Sequence, residues 1–342
     1  MKNLKTFLKI LISLGLGIGL IIWFWNSMSA TDKSETLEAF KRANYFWVIL
    51  APIIGLLANF FRTQRWILML RPLGYTPGYW NTFFAVLIMY FFNLFVPRLG
   101  EVTRCTILAE YENVPVEKSL GTMVTERLFD VICLGIVFVS IILFLGKDNF
   151  NAIYAEFEKL TAGIQGGTLT IILKYAVPVL LIVGLLGFSI YYIQKNGIEQ
   201  LKTFIISKVK SLLDSVFSVR HIQEKAQFCT LTFVMWLMYL IMFYINYKAL
   251  PETSHLPMVS ALVCLFFGSL AVVLTPGGIG IFPIVIQTIF IGFNISPNIA
   301  LAIGMIAWSI QTLGVLIGGM GALVLLNLIN KKEDSSLNNV PT

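Results

Sequence analysis

Six charged residues stand where charge is rare. Arg98, Glu101 and Arg104 follow a long apolar run and Pro97, and Glu126, Arg127 and Asp130 interrupt another apolar run. A guanidinium is planar and permanently charged, and its fork of donors fits two phosphate oxygens at once, so Arg98 and Arg104 suit an anionic group. Glu101 could pair with either arginine, and the plainer reading of the trio is an ion pair that holds a turn shut. Glu126 and Asp130 are four residues apart and share a helix face, with Arg127 three residues before Asp130. These two carboxylates and one arginine leave one negative charge over, which Arg98 or Arg104 would offset. Counted from Ser119, Asp130 lies roughly 16 Å along its helix, about half the thickness of a bilayer's hydrocarbon. Charge at that depth is functional or tightly paired. All six are therefore read as substrate-binding residues, the alternative being a structural tie. Arg62 and Arg65 precede Trp66 and Arg71 at the end of a further apolar run. Basic residues beside tryptophan there form the ordinary membrane-edge pattern. The functional alternative, a collecting site for anionic headgroups, keeps both arginines with the candidate site.

Other chemistry is sparse. Cys105, Cys133, Cys229 and Cys264 form no CxxC pair, and His221 and His255 are isolated. Neither a disulfide nor a metal site is expected, and no hydrolase, zinc-protease or phosphate-loop motif occurs. No catalytic residue and no cofactor is assigned.

The elements that must position these charges follow from composition. The chain is 57% hydrophobic and 13% charged over 342 residues, with a mean hydropathy of +0.81. Soluble domains run near 25% charged, so a soluble enzyme, a disordered chain and a nucleic-acid-binding module are excluded. The net charge of +7 encodes topology rather than a nucleic-acid partner. The spacing predicts an all-α polytopic membrane protein with about six full transmembrane helices, at 7–26, 44–61, 119–145, 171–193, 228–247 and 297–326. Two apolar runs behave differently. The stretch 79–118 carries Pro97 and Gly100 at its middle and a second half too charged to span lipid. The stretch 258–293 is broken by Pro276, Gly277, Gly278 and Gly280. Both are read as re-entrant helical hairpins with those residues at the tips, because irregular backbone at membrane depth survives only inside protein or a watery cavity. With 79–118 entering from the cytoplasm, the basic segments 1–9, 62–78 and 195–227 all lie inside, the last as an amphipathic surface helix. The segments 27–43 and 147–170 become outside loops, and both termini are cytoplasmic. The two halves, about 7–146 and 171–326, then read alike in opposite orientation, an inverted-topology repeat whose broken helices point to a transporter's site. Residues 1–330 form one membrane domain, and 331–342 a short polar tail.

The segments RTQRWILMLRPLGY (62–75), NLFVPRLGEVTRCTIL (93–108), MVTERLFDVICLGIV (123–137) and TPGGIGIF (275–282) resemble the lysylphosphatidylglycerol synthase transmembrane region, or flippase-like domain, over about residues 5–328. The resemblance implies a domain that moves polar-headed lipids between leaflets: an anionic or aminoacylated phospholipid, or a lipid of the polyprenyl-phosphate type. It carries Arg62, Arg65, Pro97, Arg98, Gly100, Glu101, Arg104, Glu126, Arg127, Asp130, Gly277, Gly278 and Gly280 over as motif residues. Relatives often place a glutamate after the glycine motif, where this chain has Phe282 and Pro283. Two-function members add a soluble aminoacyl-transferase domain, for which this sequence leaves no room, so enzymatic activity is not expected. The expected partners are membrane lipids of the cell (cytoplasmic) membrane and a separate lipid-modifying transferase. The competing function is a membrane component of such a lipid-modifying system, acting as scaffold or as a headgroup enzyme.

Overall fold

The computed structural model describes residues 30–96, 98–162 and 217–337, together with Asn26 and Lys210. The expected helices at 7–26 and 171–193, Pro97, and most of the basic segment 195–227 lie outside the described residues. Among the described residues the chain is all helical: α1 (Ala30–Arg42), α2 (Tyr45–Leu70), α3 (Tyr79–Phe95), α4 (Leu99–Tyr111), α5 (Val116–Phe144), α6 (Lys147–Ala162), α7 (Lys225–Asn246), α8 (Met258–Leu274), α9 (Ile281–Gly292) and α10 (Pro297–Leu337). Four apolar stretches, Tyr45–Leu73, Val116–Phe144, Lys225–Ala249 and Pro297–Asn330, are long enough to cross a bilayer. The outer face of α5 presents Val131, Ile136, Ile142 and Leu143 uncovered. In water that stripe would invite aggregation; against lipid tails it is an ordinary contact surface.

Several boundaries differ from the sequence reading. The helix expected to end near residue 61 continues to Leu70, so Arg62 and Arg65 lie within it rather than at a membrane edge. The segments expected as loops after residues 27 and 147 hold helices α1 and α6. α6 lays Ile153 against Gly292 of α9, where a Cβ would come within 2.5 Å of the isoleucine side chain. α10 runs on to Leu337, into the segment expected as a polar tail.

Both broken runs form helix pairs. α3 and α4 turn through Val96 and Arg98, with Arg98 left-handed at φ 64° and Leu99 N–H donating to the Val96 carbonyl at 3.2 Å. At their open end, Glu112 accepts from Gly78 N–H at 2.7 Å and from the Asn81 amide at 2.6 Å, tying the entering strand of chain to the leaving one. Gly100 is the point of closest approach: a Cβ there would lie 1.9 Å from the Met89 carbonyl oxygen, while its N–H donates to Asn93 Oδ1 at 2.8 Å. α8 and α9 turn through Thr275–Gly280, where Gly277 and Gly280 take positive φ that other residues adopt only under strain. The N–H groups of Gly278 and Ile279 turn back onto the Thr275 and Pro276 carbonyls, so neither is turned outward toward an anion.

The pairs approach from opposite ends of the bundle. The α3–α4 open end lies beside the second half of α2 and the far end of α10, through Tyr79 Oη donating to the Phe60 carbonyl and Asn81 bonding Asn330. The α8 entry follows the short turn at Ala249, whose carbonyl accepts from Asn44 N–H at the start of α2. The two tips meet: a Cβ on Gly277 would sit 2.5 Å from a Leu94 methyl, and Trp308 of α10 donates to the Gly277 carbonyl at 3.0 Å. α2 and α7 run antiparallel between them, with Leu68 and Met69 packed near Phe228 and Leu231 and Gly55 facing Met242.

Candidate functional site

Three helices bring the charges together: α2 carries Arg62 and Arg65, α4 Glu101 and Arg104, and α5 Glu126, Arg127 and Asp130. Glu126 is the hub. Its carboxylate meets Arg62 Nη1 at 2.7 Å, Arg104 Nη2 at 3.0 Å and Arg65 Nη2 at 3.4 Å, and its side chain is fully buried. One turn on, Asp130 takes Arg65 Nη2 at 2.9 Å and Arg62 Nη2 at 3.4 Å. The i, i+4 spacing puts both carboxylates on the face of α5 that meets α2, and the i, i+3 spacing of Arg62 and Arg65 answers it from α2. That match explains why α2 runs past its apolar segment: both arginines are ion-paired inside the bundle.

Glu101 pairs outward. It accepts from Arg127 Nη2 at 3.2 Å, not from Arg98 or Arg104, and Arg127 also lies 3.8 Å from Asp130. Arg127 keeps 43% of its side chain exposed, so this pair forms the rim of the cluster. Glu101 also sits in the first turn of α4, where the helix dipole favours a carboxylate. Arg98 is exposed at the turn, outside the ion-paired cluster; its position there is a backbone one.

Aromatic residues that the sequence reading did not place complete the site. Trp66 is fully buried, lies 3.9 Å under the Arg104 guanidinium and donates to Thr122 Oγ1 at 3.0 Å. Read linearly, Trp66 looked like an interfacial belt residue; the fold turns it inward as a platform for a cation. Tyr239, on α7, accepts from Arg62 Nε at 3.3 Å, and the Tyr90 ring lies 5.8 Å from the same guanidinium. No local signal marks Tyr239, because it arrives from the other half of the chain.

The charge balance is uneven. Four arginines (Arg62, Arg65, Arg104, Arg127) face three carboxylates (Glu101, Glu126, Asp130), a formal surplus of one positive charge. The sequence reading of Glu126, Arg127 and Asp130 alone gave the opposite sign; adding Arg62 and Arg65 reverses it. Arg65 Nε and Nη1 and Arg104 Nε and Nη1 are buried with no hydrogen-bond partner among the described residues, as is Glu101 Oε2. Buried donors without partners are rare and costly. Among the described residues no group of His, Cys, Asp and Glu could hold a metal ion, and all four cysteines are free.

Comparison with known proteins agrees with the motifs. The chain belongs to the family described as the lysylphosphatidylglycerol synthase transmembrane region, which matches residues 7–319. It is 24% identical over 316 residues to a UPF0104 membrane protein of Methanocaldococcus jannaschii, covering 90% of this chain and 93% of that one. No solved structure matches it.

Proposed function

We propose, taking membership of that membrane family as the premise, that this protein translocates a lipid with an anionic headgroup between the leaflets of the cell membrane. The observation that carries the reading is the buried positive surplus with unpartnered guanidinium donors on Arg65 and Arg104. A phosphate entering there would satisfy those donors bidentately. Unaided passage is slow because a charge at the bilayer centre costs several kcal/mol; a site already rich in paired arginines lowers that cost. In this reading α3–α4 and α8–α9 are re-entrant hairpins from opposite leaflets, the two halves are inverted repeats, and both termini are cytoplasmic. The meeting of the tips at Leu94 and Gly277 is then a closed gate.

The test is reconstitution of the full chain into sealed vesicles with fluorescent phospholipids of anionic, zwitterionic and aminoacylated headgroup, and with a polyprenyl phosphate. A membrane-impermeant quencher reads headgroup movement. At least one anionic lipid should move faster than in protein-free vesicles, and Arg104→Gln should abolish the gain. If no lipid in the panel is accelerated, translocation is wrong and a scaffolding role in a lipid-modifying system takes its place.

A further inference from the structure

The arginines of the charged cluster differ in one respect. Arg62, Arg65 and Arg104 are no more than 5% exposed, whereas Arg127 keeps 43% of its side chain uncovered. Its place on α5 explains the difference. Val124 and Val131, three residues before it and four after, share its face and are exposed, as is Leu128. Asp130, three residues on, belongs to the ion-paired cluster. Arg127 therefore stands on the boundary between the uncovered apolar side of α5 and the side that carries the carboxylates. The same boundary runs along α4. Glu101, which accepts from Arg127 at 3.2 Å, is followed by exposed Val102, while Arg104, one turn on, is fully buried.

The seams between the other helices around the cluster are closed by packing. Between α2 and α5, buried Trp66 donates to Thr122 at 3.0 Å and buried Arg65 holds Asp130 at 2.9 Å. Between α5 and α7, the Phe129 and Phe228 rings meet edge to face at 4.9 Å. Between α2 and α3, Phe60 stacks on Phe83 at 4.2 Å. The seam between α4 and α5 is closed at its outer edge by the half-exposed Arg127–Glu101 pair, a class of contact that screening and side-chain entropy keep weak. The pair is also single rather than forked: Glu101 Oε1 takes Arg127, and Oε2 has no partner among the described residues. Inward of it, Arg104 holds Glu126 at 3.0 Å from side chains with no exposure.

We propose that the seam between α4 and α5 is the lateral doorway by which a headgroup passes from the bilayer to the buried arginines, with the Arg127–Glu101 pair as its latch. An incoming phosphate takes the place of the Glu101 carboxylate on Arg127. One anion replaces another, so the guanidinium at the lipid boundary never stands unpaired, which would be costly there. Arg104, one turn behind Glu101 on α4, is the next cation inward. The acyl chains stay outside, against Val102, Val124 and Val131. The proposal rests on the translocation reading and adds to it the route and the contact that guards it.

The experiment uses the full chain in sealed vesicles with fluorescent phosphatidylglycerol. In a cysteine-free background, Glu101→Cys and Arg127→Cys are combined and bridged by bismaleimidoethane. Headgroup movement should be lost on bridging. The same double variant treated with N-ethylmaleimide carries similar bulk without the tether and should still move headgroups. Bridged protein that moves them as fast as the untethered form overturns the doorway. A second measurement uses the unaltered protein and phosphatidylglycerol carrying a diazirine on its headgroup, with attachment mapped by mass spectrometry. Attachment should concentrate at Glu101, Val102 and Val124; attachment chiefly at Phe60 and Phe83, or at Phe129 and Phe228, overturns the proposal. If N-ethylmaleimide also stops movement, this mapping decides. Attachment at the seam without any headgroup movement defeats the proposed function alone, and movement that persists in bridged protein defeats the doorway alone.

Discussion

Glu126→Gln is the most informative single change. It keeps the shape of the side chain and removes only its charge. In the native protein that charge sits 2.7 Å from Arg62, 3.0 Å from Arg104 and 3.4 Å from Arg65, all on side chains no more than 5% exposed. Each contact is worth about 4 kcal/mol at 4 Å and an effective dielectric of 20, before desolvation is subtracted. The net effect of removing one partner from a buried pair is about 3–5 kcal/mol. It should lie at the upper end here, because three guanidiniums lose a counter-ion and only Asp130 remains to face Arg62 and Arg65. Glu101→Gln is the internal comparison. Its partner Arg127 is 43% exposed, so that pair is worth about 1 kcal/mol or less. Unfolding of both variants in mixed micelles, followed by tryptophan fluorescence, gives the difference directly, since Trp66 lies against Arg104. Adding Arg104→Gln to Glu126→Gln removes one of the stranded charges and should recover part of the loss. If Glu126→Gln costs no more than Glu101→Gln, or the double variant is less stable than the sum of the singles, the hub role of Glu126 is wrong.

Four further outcomes follow from the structure and the proposed topology. Gly100→Ala should cost at least ~3 kcal/mol and reduce folded yield, because its methyl meets the Met89 carbonyl and helix backbones cannot yield as side chains do. Gly135→Ala on α5, with open space around it, should instead stabilise by about 0.5–1 kcal/mol, as read by the same unfolding assay. Arg104→Lys should leave the ion pair to Glu126 but lose the planar contact with Trp66, slowing headgroup movement in vesicles while stability falls by only about 1 kcal/mol; equal rates in Lys and Arg forms would show that charge alone suffices. In a cysteine-free background of sealed vesicles, Arg220→Cys and Asp148→Cys should react with an impermeant maleimide from opposite sides; same-side reaction breaks the proposed topology.

Much of the molecule was legible in the chain. The 57% apolar content made the class unavoidable, since no soluble surface accommodates it. The apolar stretches of α5, α7 and α10 were found by length alone, and the two helix pairs by their Pro and Gly interruptions. The six charges in apolar surroundings were also visible, and five of them do gather. Hydropathy misplaced the end of α2, because a linear window counts Arg62 and Arg65 as water-seeking and cannot know that Glu126 and Asp130 neutralise them from α5. The loops assigned after residues 27 and 147 failed for a related reason: a charge-balanced amphipathic helix has the composition of a loop.

The sequence by itself determined the solvent of this protein, its helical class and the short list of residues worth watching. Their partners it left open. It allowed Glu101 to join Arg98 or Arg104, where the fold gives it Arg127. It placed Arg98 in the cluster, where the fold leaves that residue at the turn. It balanced Glu126 and Asp130 to a negative charge, where α2 makes the site positive. Trp66 beneath Arg104 and Tyr239 beside Arg62 were not announced at all. The physical reason is common to these cases. Spacing along one helix fixes which residues share a face, but a charge buried in a bundle takes its state from whatever the neighbouring helices bring within about 4 Å, and that is set by packing among segments distant in sequence.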